Sequence, residues 1–213
     1  MTDVALYEEF LEDFPIELRE RSVLRYMGYP SAESTMKSPF ASRIRGMLGE
    51  MIAGAPRLFT PKGIFCTAPL TVEGDSLFLC GASFTSAFLA RRFRGASLAG
   101  LFAVTIGSGL ERELKGLFEK GRMSEALILD SIGSEAAEQA ARFVHRRIEK
   151  HLGMRLVRYS PGYNDRKTGF DWDIREQAML FRLLAPERVG ITLSRTSMME
   201  PRKSVTAIIG PGF

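Results

Sequence analysis

The chain has 213 residues, 45% hydrophobic and 25% charged, enough for one large domain or two small ones with a proper core. A net charge of +4, from 29 basic and 25 acidic residues, is too mild for a nucleic-acid-binding signature. No run approaches the roughly 18 apolar residues of a membrane span, and Met1-Thr2-Asp3-Val4 opens no apolar signal core. The chain therefore reads as a soluble, cytoplasmic protein with no nucleic-acid or membrane partner.

Residues 3–29 hold two short helical patterns, interrupted at Phe14-Pro15-Ile16 and ended by Gly28-Tyr29-Pro30. Residues 39–58 read as an amphipathic helix, with Ile44, Met47, Leu48, Met51 and Ile52 at helical spacing. Gly63 to Val72 and Ser76 to Cys80 are two strands around a Glu73-Gly74-Asp75 turn. Ser83 is placed to cap a helix from Phe84 to Phe93, and Ser97 to Ile106 is a buried strand. Gly107-Ser108-Gly109 leads into a helix from Leu110 to about Lys120.

From Ser124 to Leu152 the helical pattern is almost unbroken, with Leu129, Ile132, Ala136, Ala140, Val144 and Ile148 on one face. Glu138 and Arg142 lie four apart on the other side and can form a surface pair. The segment Arg158-Tyr159-Ser160-Pro161-Gly162-Tyr163-Asn164 then reads as a loop, and residues 165–172 as polar turns. Asp173 caps a helix through Gln177, Leu180, Phe181 and Leu184, and Ile191 to Ser194 and Ser204 to Ile209 are two last strands. With no repeats and no strict strand–helix alternation, residues 1–213 read as a single α+β domain with a mixed or mostly antiparallel sheet.

Little in the chain points to a complete catalytic constellation. Cys66 and Cys80 lack metal spacing; they could pair with each other, but the pattern favours free buried thiols in a reducing compartment. His145 and His151 lie among Arg and Lys with no second ligand type at a useful spacing, so no metal site is expected. Ser160 has no nearby base. Gly107-Ser108-Gly109 follows a strand and precedes a helix, but Arg112 stands where a dinucleotide loop needs its third glycine, so it reads as a tight turn. Short basic groups at Arg91-Arg92-Arg94, Arg142 with Arg146-Arg147, and Arg202-Lys203 read as solvated faces. What remains is a ligand loop. Arg158 can take a carboxylate, an aromatic ring a cationic group, and bare backbone at Pro161-Gly162 the rest.

Several stretches occur in one order: Val104-Thr105-Ile106-Gly107, Asp130-Ser131-Ile132-Gly133-Ser134 with Glu138, Arg158-Tyr159-Ser160-Pro161-Gly162-Tyr163, Gln177 with Leu180-Phe181, and Ser197-Met198-Met199-Glu200-Pro201-Arg202-Lys203-Ser204-Val205. Together, from about residue 14 to 210, they resemble the activation (reactivation) domain of cobalamin-dependent methionine synthase in a short stand-alone form. The resemblance implies a twisted, mostly antiparallel sheet flanked by helices, not a Rossmann fold. It implies binding of S-adenosylmethionine (SAM) and reductive methylation of cob(II)alamin held by a corrinoid partner, with an electron from a flavodoxin-type donor. Carried over position by position, Arg158 matches the arginine near the SAM carboxylate. Ser160, Pro161 and Gly162 match the backbone that holds the ligand, Tyr163 the aromatic beside it, and Glu138 an acidic helix residue near the amino group. Asn164 stands where long forms often have proline, and Ile208-Ile209 where they carry an aromatic. The resemblance implies an activation component without catalytic residues of its own. The alternative is a module that senses SAM or another zwitterion and never meets a corrinoid.

Overall fold

The fold was taken from a computed structural model, which describes residues 7–29, 39–79, 81–162, 164–165 and 170–211, with side chains of 39–43, 164–165 and 170–171 left aside. In chain order the elements are β1 (Tyr7–Glu12), α1 (Glu20–Tyr26), α2 (Pro39–Gly54), β2 (Lys62–Glu73), β3 (Ser76–Leu79), β4 (Ala82–Thr85), α3 (Ala87–Arg92), β5 (Leu98–Thr105), α4 (Gly109–Glu119), α5 (Met123–Leu152), β6 (Val157–Tyr159), β7 (Asn164–Asp165), β8 (Phe170–Asp171), α6 (Gln177–Leu184), β9 (Thr192–Leu193), β10 (Met199–Glu200) and β11 (Ser204–Gly210). The main sheet runs β4-β3-β2-β5-β11-β6, with β1 also paired to β2, and all its pairings are antiparallel. The fold is thus α+β with an antiparallel sheet, as expected, and a Rossmann arrangement is excluded.

β5 lies between β2 and β11, and both of its faces are covered. Leu101 and Ala103 join one core with Phe88, Phe93, Trp172, Leu180 and Ile208, under α3 and α6. Phe102 and Val104 join the other with Phe65, Ile209 and the α4–α5 face. This double burial is why the stretch from Leu98 to Val104 is apolar throughout and not at alternate positions. The fully buried Ala136, Ala140 and Ala141 bring α5 close to the sheet, and Ile128 and Ile132 pack outward against Val23 and Leu24 of α1 and Leu48 of α2. α5 is therefore a middle layer, held on one side by the sheet and on the other by two helices.

Four expectations are corrected. Residues 7–12 form a strand, not a helix, because the first half of the twelve-residue β2 offers an open edge that β1 fills from Tyr7↔Thr67 to Glu12↔Lys62. Ser83 lies in β4. The cap of α3 is Ser86, whose Oγ accepts from Leu89 N at 3.2 Å. Arg158 sits on β6, an edge strand paired to β11, and not in a loop. At 165–172, read as polar turns, β7 and β8 pair as a short antiparallel ribbon, while the strand expected at 191–194 is β9, paired to β10 in a ribbon apart from the main sheet. Cys66 is buried, and Cys80 lies outside the described residues. Among the described residues, no helix is long and apolar enough to cross a membrane.

Candidate functional site

The three residues of β6 face alternately. Tyr159 points into the α3 side of the core, edge-on to Phe88 at 5.1 Å and to Phe93 at 5.8 Å. Arg158, its neighbour, therefore faces the opposite side, where α5 lies. There Arg158 Nη2 donates to both oxygens of Glu138, at 2.8 Å each. Arg142 Nε donates to the same Glu138 Oε1 at 3.0 Å. The side chains of Arg158 and Glu138 are 20% and 24% exposed, so the pair is sheltered but reachable from solvent.

The second terminal nitrogen of Arg158, Nη1, is buried and has no hydrogen-bond partner among the described residues. A guanidinium is an obligatory donor, and a buried unmet donor is costly. The arrangement sets a donor without a partner among the described residues beside a carboxylate, two groups of the kinds that can pair with an α-amino acid's carboxylate and ammonium. Glu138 forms the expected pair with Arg142 and, in addition, a tertiary bond to Arg158.

The loop beyond β6 is closed by a hydrogen bond from Gly162 N–H to the Trp172 carbonyl at 2.7 Å. That N–H is used within the protein and is not the backbone donor expected for a ligand. Gly162 has φ +83°, and a Cβ there would lie 3.3 Å from Ile174, so glycine fits this turn best. Pro161 is buried and Ser160 half-buried. As β6 is an edge strand, alternate backbone groups of 157–159 face away from β11 and can bond a ligand. Tyr163 lies outside the described residues.

Two neighbours were not foreseen from the sequence. Tyr26, at the end of α1, faces the cluster. Burial, then the charges of Glu138 and Glu135, push its hydroxyl up. His145, one helical ridge along from Arg142, has a buried Nε2 that is 3.6 Å from Glu149 Oε1, beyond hydrogen-bond length. Burial chiefly, and then the charge of Arg158, push His145 down from 6.5, against the pull of Glu149. The folded protein therefore holds fewer protons at His145 than the unfolded chain does once pH falls below about 6.5. The stability that this neutral histidine contributes is complete above that pH and is lost as pH falls through it. Thermal melts from pH 7.5 to 5.5 are expected to show a steeper fall in Tm for the parent than for His145→Gln. Equal slopes would place the acid sensitivity elsewhere.

Gly107-Ser108-Gly109 is a tightly packed turn. A Cβ at Gly107 would lie 2.1 Å from Thr60 Oγ1, and one at Gly109 would lie 2.3 Å from the Leu58 carbonyl oxygen. Both glycines are needed for the 58–60 segment to pass close to the start of α4.

With this geometry in place, the chain can be set beside known proteins. No family model matches it. The methionine synthase of Mycobacterium tuberculosis is 28% identical over 150 residues, covering 62% of this chain and 13% of that protein. That of Mycobacterium leprae is 27% identical over 150 residues, covering 62% of this chain and 12% of that protein. The chain thus spans a small part of either relative. The crystal structure of the MetH reactivation domain bound to AdoHcy superposes with a TM-score of 0.71 at 15% identity, over 97% of this chain and 79% of that one. This chain has the fold of the methionine synthase reactivation domain. The family resemblance seen in the sequence motifs is thereby matched by both the sequence relatives and the fold. Within the reactivation-domain fold, Arg158 on β6 and Glu138 on α5 are brought together from positions 20 residues apart. Ile208 and Ile209, opposite Tyr159 and Arg158 on β11, are fully buried and put no aromatic at the site.

Proposed function

We propose that the chain, as one domain over residues 1–213, binds SAM at the Arg158–Glu138 pair and serves reductive methylation on a cobalamin-carrying partner. The observation that carries this reading is Nη1 of Arg158, buried and without a partner among the described residues, beside the Glu138 carboxylate. It is supported by the reactivation-domain fold, whose solved relative holds AdoHcy. The donor set fits the amino-acid arm of SAM: Arg158 for the carboxylate, Glu138 for the ammonium, and the outward backbone of β6 with Ser160 and Pro161 alongside. Bound SAM would supply an electrophilic methyl group on a sulfonium. The chain's own part is to anchor the arm, fix the direction of the methyl group and present it to the partner's cobalt. The electron would come from a flavodoxin-type donor. The protein is read as a cytoplasmic activation component and not as a complete enzyme.

The test mixes the protein, SAM and a reductant with a cob(II)alamin-loaded corrinoid protein and follows the visible spectrum of the corrinoid. Methylation that depends on this protein supports the proposal. Methylation at the same rate without it, or SAM consumption by the isolated protein, overturns it. SAM binding with no effect on any corrinoid favours the sensing module.

A further inference from the structure

We infer that Arg142 is a positioning residue of this site: it restrains the Glu138 carboxylate so that Glu138 does not close over both terminal nitrogens of Arg158. The inference rests on the SAM reading above and goes beyond it. It begins from an asymmetry. An arginine and a carboxylate ordinarily meet as two parallel hydrogen bonds from two different nitrogens. Here both Glu138 oxygens take their bonds from the single nitrogen Nη2, at 2.8 Å each, and Nη1 is left without a partner among the described residues.

Arg142 accounts for the difference. Its Nε donates to Glu138 Oε1 at 3.0 Å, so that oxygen holds two donors while Oε2 holds one. A carboxylate has about four lone-pair positions. Held between the two guanidinium groups, Oε1 would have to turn away from Arg142 for Glu138 to reach Nη1. Arg142 lies four residues after Glu138 on the same face of α5, so this restraint is local to the helix and does not depend on the sheet. Its side chain is 37% exposed, and a pair of that exposure adds little to fold stability. It also sets the charge. With Glu138 and the nearby Glu135 both acidic, the second guanidinium offsets charge that would otherwise repel an incoming carboxylate. Without Arg142, Glu138 swings onto Nη1, and the protein's own carboxylate occupies the seat meant for the ligand's.

The test compares Arg142→Gln with the parent protein in three measurements: calorimetric titration with SAM, thermal denaturation, and the nitrogen NMR signals of the Arg158 guanidinium. SAM affinity is expected to fall about tenfold, mid-range for coupling within one hydrogen-bond network. Tm is expected to stay within roughly 2 °C of the parent, a shift of less than ~1 kcal/mol for a domain of this size. The Arg158 signals are expected to move in the ligand-free variant as Nη1 gains an acceptor. Unchanged affinity, or a loss of affinity that follows an equal loss of Tm, overturns the inference. Arg158→Ala separates the two levels. If it weakens SAM binding and Arg142→Gln does not, the inference fails and the SAM site stands. If neither variant weakens binding, the SAM reading itself fails.

Discussion

Replacing Arg158 by alanine is expected to raise the dissociation constant for SAM by about 10- to 150-fold, from ~1.5–3 kcal/mol for a lost hydrogen bond to a charged group. The loss is expected in the amino-acid arm, whose carboxylate the proposal seats at the buried Nη1. S-adenosylhomocysteine carries the same arm and should lose affinity by the same factor, although its sulfur is neutral. The fold should survive. Glu138 keeps its bond to Arg142 and reaches solvent, so no isolated buried charge is created. Calorimetric titration of both ligands, with a melt to verify folding, measures this directly. A variant that binds SAM as tightly as the parent would make Arg158 a structural residue only.

The second large effect falls on stability. Gly107→Ala is expected to destabilise the protein by about 2–5 kcal/mol, adding ~1–2 for an L-residue in left-handed backbone to ~1–3 for overpacking. Gly107 has φ +78°, and its N–H is held by Thr105 Oγ1 at 3.0 Å, so the backbone does not rotate away freely. The new methyl group would meet Thr60 Oγ1 at 2.1 Å, and Thr60 is itself tied by its N–H to the Ile106 carbonyl at 2.9 Å. At about 2–4 °C per kcal/mol for a chain of this length, Tm should fall by roughly 5–20 °C. A nucleotide loop would behave differently, losing a ligand while the fold stayed intact. Denaturation of the variant at neutral pH distinguishes the two.

The long elements were legible because their burial is written in their spacing. Leu129, Ile132, Ala136, Ala140, Val144 and Ile148 repeat at helical intervals, and each is buried. β5 was legible because a strand covered on both faces is apolar from Leu98 to Val104, with no alternation. The short edge strands were not. Tyr7–Glu12 carries three glutamates and gains its shape only from the open side of β2. Val157–Tyr159 is three residues long, too short for any period, and it becomes a strand because β11 is beside it. The site shows the same division. The Glu138–Arg142 bond follows from a four-residue spacing, whereas the Glu138–Arg158 bond depends on where β6 lands. Family resemblance named both residues but not their direct contact. Tyr26 had no signal in the sequence, since it reaches the cluster only through the packing of α1 on α5.

The central claim is that Arg158 Nη1 receives the carboxylate of SAM while Glu138 takes its ammonium. A crystal structure of the protein grown with SAM or S-adenosylhomocysteine tests it most directly. The account predicts a ligand carboxylate oxygen at about 2.7–2.9 Å from Nη1 and the ligand nitrogen within hydrogen-bond reach of Glu138. Ligand seated elsewhere, with Nη1 still unpartnered and the Arg158–Glu138–Arg142 cluster unchanged, would contradict it.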